Sequence, residues 1–191
     1  MRLLEERILT DGKVRSGDVL KVDGFLNHLI DVRFAAELGR EFHRLYADCG
    51  VNKILTIESS GIGVACLTAQ FFDCPVLFAK KSKTKNIDAD VYTTPVESYT
   101  HGTTYDVIVS KQYLGEGDRV LIIDDFLAKG NALLGLIRIV RQSGAELAGA
   151  GIVIEKAYQD GGKKVRDMGV RVESLARIAS MDEENGIVFV D

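Results

Sequence analysis

At 191 residues, 46% apolar and 27% charged, the chain has the size of one domain, at ~100–200 residues per domain, and enough apolar side chains to bury a full core. A net charge of −4 supplies no global attraction to nucleic acid or an anionic membrane, no apolar run reaches the ~20 residues that span a bilayer, and MRLLEERILTDGK lacks a signal-peptide core, so a cytoplasmic location is expected. Cys49, Cys66 and Cys74 form no C-x-x-C pair and His28, His43 and His101 show no ligand spacing, which argues against a disulfide framework or a metal held by protein alone.

Residues 2–9 read as a short helix with Leu3, Leu4 and Ile8 on one side, stopped by Thr10-Asp11-Gly12. Residues 13–30 read as irregular, yet Val19, Leu20, Val22, Phe25 and Leu26 make them too apolar for a solvated linker, so they must cover something. Asp31 is placed to cap a helix running to about Cys49, with Phe34, Leu38, Phe42 and Leu45 on its buried face. Lys53–Ile57 is the first core strand, followed by the loop Glu58–Gly63 and a helix carrying Val64, Ala65, Leu67, Ala69 and Phe72; Val76–Ala79 completes a βαβ unit. Gly61-x-Gly63-x-x-Cys66 lacks the third glycine of a dinucleotide-binding fingerprint.

Residues 80–113 break the rhythm. KKSKTK places four lysines in six residues, and the polar, Thr-rich stretch after it, with Tyr92, Tyr99, Tyr105 and Val107–Val109, suggests strands or an extended hairpin. Long insertions of this kind are usually functional or disordered, and this one suits a lid over an anionic ligand, a solvated face or, against the overall charge, a nucleic-acid contact. Val120–Ile123 then runs without alternation, as a strand buried on both faces does. Asp124 and Asp125 follow at once, then a loop with Gly130, then a helix from about Asn131 with Leu133, Leu134, Ile137 and Val140 buried, ended by Gly144. Ala148–Ile154 is a further buried strand with Glu155-Lys156 at its carboxyl end. Residues 160–169 read as a short helix or turn, and Val170–Glu173 and Ile187–Val190 as the last strands.

In an open α/β sheet ligands bind at the carboxyl ends of the strands. A loop that opens a helix there presents unpaired N–H groups and a positive dipole end to an anion. Paired acids beside such a cradle suit a ligand with both hydroxyls and phosphate: Asp124 and Asp125 accept from the hydroxyls, and the amides of Ala128, Lys129, Gly130, Asn131 and Ala132 donate to the phosphate.

A hydrophobic strand, two acids and this loop resemble the phosphoribosyl pyrophosphate (PRPP) signature of the type I phosphoribosyltransferases. The chain departs from that pattern where Lys129 stands in place of the commonest Thr or Ser and Asn131-Ala132 replaces the hydroxyl-bearing end. The resemblance implies an α/β fold with a central mostly parallel sheet flanked by helices, in one domain over 1–191. It implies a small hood from about 1–30 plus the C-terminal region, and a flexible lid loop within about 80–113. Ser59, Ser60 and Gly61 would form the pyrophosphate loop, with Lys80 and Lys81 as basic partners, and Mg²⁺ would be bound through PRPP or pyrophosphate rather than by protein alone.

The blocks LKVDGFLNHLIDVRF, ESSGI, VLIIDDFLAKGNA, GIVIEKA and RVESLARI together resemble the bacterial xanthine phosphoribosyltransferases. That resemblance implies a purine site of Leu20, Asn27 and Lys156, xanthine and PRPP as substrates, XMP as product in purine salvage, a homodimer, and neither nucleic acid nor membrane as partner. The chemistry agrees: xanthine presents oxo groups and is acidic for a purine, so a lysine donor suits it, whereas adenine needs an acceptor for its amine. The alternatives are transfer to guanine, hypoxanthine or adenine, or a non-catalytic PRPP-binding regulator. Regulators on this fold usually carry an added DNA-binding domain, for which 191 residues leave no room.

Overall fold

The computed structural model of the chain describes residues 1–16, 18–82, 90–98 and 103–190. Helix α1 (Arg2–Asp11) sets Leu4 and Ile8 into the core. The segment expected to be irregular is a small hairpin, β1 (Lys13–Arg15) against β2 (Val19–Lys21), followed by a wide π-type turn at Asp23–Asn27. It is a cover, as its apolar content requires: Leu20, Val22, Phe25 and Leu26 are buried. Helix α2 (Val32–Tyr46) starts where the Asp31 carboxylate accepts from the Phe34 N–H at 3.1 Å, and a 3₁₀ turn carries the chain on to Cys49.

β3 (Lys53–Ile57), α3 (Gly61–Phe72) and β4 (Val76–Ser82) form the expected βαβ unit, with β3 and β4 parallel. The insertion is a hairpin: β5 (Val91–Ser98) pairs antiparallel with β6 (Thr103–Ser110), and β6 pairs with the end of β4. The described part of residues 80–113 thus extends the sheet; the remainder of the expected lid, at 83–89 and 99–102, lies outside the described residues. β7 (Arg119–Leu127), α4 (Asn131–Ser143), β8 (Glu146–Lys156), α5 (Gly161–Asp167), β9 (Val172–Asp182) and β10 (Gly186–Phe189) complete the chain.

Two boundaries differ from expectation. β7 continues through Asp124 and Asp125 to Leu127, so the acids lie within the strand rather than after it; Asp124 and Phe126 keep register with Ile152 and Ile154 of β8. β9 is far longer than residues 170–173, because β8 pairs with it as far as Ile178 and β10 turns back on 178–182, where exposed, polar Ser180 gains a pairing partner.

Among the described residues the main sheet has eight strands in the order β10-β9-β8-β7-β3-β4-β6-β5, parallel from β9 to β4 and antiparallel at both ends. Successive side chains of β7 enter opposite cores. Leu121 and Ile123 pack with Phe42 of α2 and Val64 of α3, while Val120 and Ile122 pack with Leu136, Ile137 and Val140 of α4. Both faces are covered, which is why the run needs no alternation. Strand order reverses between β3 and β7, the switch point at which two strands' loops diverge and leave a crevice. No helix among the described residues is long and apolar enough to cross a membrane.

A buried charge cluster fastens the C-terminal half. Glu155, 2% exposed at the end of β8, takes both terminal nitrogens of Arg166 from α5 at 2.7 Å and the Ser174 hydroxyl of β9, with Arg177 at 3.4 Å. Burial pushes the Glu155 carboxyl up, but Arg166, Ser174 and Arg177 more than offset it and hold it below its ordinary 4.5. Its stabilisation is therefore complete above that value and is lost as pH falls through the depressed folded value. Glu155→Gln is expected to cost about 3 kcal/mol by leaving Arg166 with half its partner, and to flatten the acid limb of stability against pH, as measured by urea denaturation from pH 3 to 7.

Candidate active site

Three neighbouring parallel strands, β8, β7 and β3, end side by side, and the residues singled out from the sequence gather at those ends. Asp124 and Asp125 are only 7% and 6% exposed. The Asp124 carboxylate accepts from the Asp125 N–H at 3.0 Å, and the Asp125 carboxylate accepts from the Asn27 amide at 3.3 Å, which joins the wide turn of the hood to the end of β7. Burial first, and then the charge of Asp125, push the Asp124 carboxyl well above its ordinary 3.8.

The loop after β3 leads straight into α3, whose first residue is Gly61. A Cβ there would lie 2.5 Å from the Thr56 hydroxyl and 3.0 Å from Asp124 Oδ1, so only glycine lets this helix start come so close to the acids. The Thr56 hydroxyl is buried without a hydrogen-bond partner among the described residues. The Glu58–Ser59 peptide is cis, and Ser60 and Gly61 open the helix with their N–H groups toward its positive end. The second loop, Ala128–Ala132, turns at Gly130 with φ of +83° and opens α4. The Asn131 side chain is directed elsewhere, donating to Glu97 O of β5 at 3.2 Å, while the main-chain N–H groups of this loop lie at a helix start, where an anion is favoured.

Lys80 and Lys81 separate. On the face of β4 shared with Asp124, the Lys81 ammonium lies 5.5 Å from the Tyr105 ring centre, and its charge opposes the rise at Asp124. Lys80 alternates to the other face and lines a groove of about 680 Å³ with Pro75, Val76, Phe78, Ile108 and Tyr113. That groove is mostly apolar and lacks the pairing of acids with helix starts, so it is not the reactive centre.

On the far side, Lys156 ends β8 with its side chain 11% exposed. Its ammonium donates to Asp18 O and lies 3.6 Å from the Asp18 carboxylate, while Tyr158 and Gln159 donate to the same carboxylate. Burial and the Asp18 bond both raise the Tyr158 phenol. Leu20, two residues along the same hairpin, is 7% exposed. Leu20 and Lys156 are thus brought to one edge by the hood, and Asn27 to the acids beside it. Asp18, Tyr158 and Gln159 escaped the sequence reading; the one local signal was the turn composition Ser16-Gly17-Asp18 ahead of Val19-Leu20.

Comparisons with known proteins agree with this geometry. Residues 32–182 match the family model of the phosphoribosyl transferase domain. The chain is 56% identical over 188 residues to a xanthine phosphoribosyltransferase of Lachnoclostridium phytofermentans, covering 98% of this chain and 97% of that one. It is 54% identical over 190 residues to xanthine phosphoribosyltransferase 1 of Clostridium perfringens, covering 99% and 100%. Among solved structures, an APRTase from Giardia lamblia complexed with 9-deazaadenine has a TM-score of 0.77 at 20% identity, over 91% of this chain and 97% of that one. An adenine phosphoribosyltransferase from Rhodothermus marinus has a TM-score of 0.75 at 20% identity, over 93% and 99%. At that identity the likeness is one of fold.

Because the folded state keeps the Asp124 proton to higher pH than the unfolded chain, stability contributed at this position falls as pH rises through the raised folded value. Asp124→Asn, which keeps the shape and removes the buried charge, is expected to be more stable than the parent, with the gap widening from pH 5 to pH 8. Equal denaturation midpoints for the two proteins at pH 8 would contradict this.

Proposed function

The chain belongs to the phosphoribosyl transferase family, and from that premise we propose that it transfers the 5-phosphoribosyl group of PRPP to N9 of xanthine, giving XMP and pyrophosphate in purine salvage. The observation that carries the reading is the placement of two buried acids between two helix starts at the switch point, with Asn27 and Lys156 on the remaining side. The family sets the reaction class, and the names of the relatives at 54–56% identity point to the base.

In this reading the 128–132 loop fixes the 5′-phosphate, Asp124 and Asp125 orient the ribose hydroxyls, and the Ser59–Gly61 loop holds pyrophosphate with Lys81 beside it. The bond from C1 to the pyrophosphate oxygen breaks ahead of the bond from N9 to ribose C1 forming; pyrophosphate leaves with the electron pair, and the imidazole-ring proton of the base passes to solvent. Positive charge grows on the sugar ring between the two events, so fixed position and the nearby carboxylates supply the acceleration without a side-chain nucleophile. Lys156 donates to a xanthine oxo group and favours the anionic base, Asn27 offers both donor and acceptor, and Leu20 packs against the ring. A site built this way discriminates because a mismatched base leaves buried groups unpaired.

Mg²⁺ fits the same residues as an ion brought in on the diphosphate. Among the described residues no group of three or more His, Cys, Asp or Glu side chains is arranged to hold a metal, whereas Asp124 and Asp125 offer hard oxygens next to the pyrophosphate loop. When bound it neutralises charge on the leaving group. The assembly is read as a homodimer and the location as cytoplasmic, both following from the family's habit and from freely diffusing substrates.

An assay of PRPP and Mg²⁺ with xanthine, guanine, hypoxanthine and adenine is expected to give the highest kcat/KM with xanthine, and a preference for adenine would refute the assignment of the base. Lys156→Ala removes one charge-assisted hydrogen bond, worth about 1.5–3 kcal/mol. It should therefore raise KM for xanthine about 10- to 100-fold and leave KM for PRPP nearly unchanged. An unaltered xanthine KM would take Lys156 out of the site.

A further inference from the structure

The phosphate-binding loop has Lys129, Asn131 and Ala132 where hydroxyl residues are common, and the Asn131 amide is engaged with Glu97, so beside the Lys129 ammonium its donors are those of the main chain. Its grip depends on main-chain N–H groups, which any sequence provides but only a fixed backbone aims. The residue that fixes this backbone is Gly161, the first of α5. Its N–H donates to Ala128 O at 3.1 Å. A Cβ at 161 would lie 2.2 Å from Ala128 O and 2.6 Å from both Gly130 N and Lys129 C, and a Cβ at 130 would lie 3.1 Å from Gly161 Cα. Backbone rests on backbone, with no side chain between them to give way.

Nor can α5 retreat. A Cβ at Gly162 would fall 2.1 Å from Glu155 Oε1, and Arg166 of the same helix grips that carboxylate through two bonds of 2.7 Å. Glu155 precedes Lys156, so one short helix is held by the strand that ends at the base side and bears on the loop at the phosphate side. We infer that Gly161 is a positioning residue for the phosphate-binding loop, setting the height of its amides through direct backbone contact while the Arg166–Glu155 pair holds α5 in place. This rests on the phosphoribosyl transfer reading.

The test is steady-state kinetics of Gly161→Ala against Gly169→Ala. Gly169 closes the same helix at φ of +77° with nothing within 4 Å of a Cβ, so its variant is strained without touching the loop. A methyl at 161 displaces the loop by something near an ångström, and a misplacement of that size costs about 100-fold. Gly161→Ala is expected to raise KM for PRPP by about 10- to 100-fold, with KM for xanthine nearly unchanged, while Gly169→Ala lowers Tm and leaves both KM values alone. A folded Gly161→Ala with the parent's PRPP KM overturns the assignment, as does a Gly169→Ala that raises PRPP KM equally. If Gly161→Ala does not fold, hydrogen exchange on the unaltered chain decides: ribose 5-phosphate should slow the Gly161 amide together with those of 129–132, and an unaffected Gly161 amide overturns it. A parent that converts no base at all overturns both this inference and the reading beneath it, whereas an active parent with an indifferent Gly161 variant overturns the inference alone.

Discussion

Two carboxylates shut into the end of a strand are the constraint around which the other parts of the site fall into place. Asp124 and Asp125 continue β7 where Val120–Ile123 have been walled in on both faces. A charge in such a place is unfavourable unless something compensates it. Asn27 and the Asp125 N–H supply part of that compensation. Burial and the neighbouring Asp125 raise the Asp124 carboxyl, and perturbed carboxyls of this kind cluster at functional sites.

Around the acids the division of labour follows the strand order. β3 and β7 send helix starts to either side of the switch point, and β8 carries its ammonium one strand further out. The hood reaches this arrangement through polar contacts spanning nearly the whole chain: Asn27 to Asp125, and Asp18 to Lys156, Tyr158 and Gln159. In the proposed reading the hood is the wall that reads the base, and the sheet is the floor that holds the sugar phosphate. The 20%-identical neighbours share the fold, and a fold by itself does not fix which ligand its site accepts.

The two glycine contacts in the site have one physical origin. Gly61 lets a helix start approach Asp124, and Gly161 lets α5 press on the phosphate loop. In both places the lack of a side chain brings backbone dipoles within reach of where charge is to be held.

The strands buried on both faces, the capped helix after Asp31, the glycine stops at 50 and 144, the acid pair and the two loops were legible in the residues, because each is governed by neighbours a few positions away. Burial on two sides removes the polar alternation, a cap needs an oxygen beside the first turn, and a left-handed stop favours glycine. What depends on distant partners was decided only by the tertiary structure. β9 is long because β8 and then β10 pair with it, and the acids belong to the strand because β8 continues alongside. Lys81 and not Lys80 faces Asp124 because the sheet register assigns the faces. The contacts of Asp18 and Gly161 bridge segments whose separation along the chain hides their encounter; adjacency in space is created by packing two cores onto one sheet, and no local pattern encodes it.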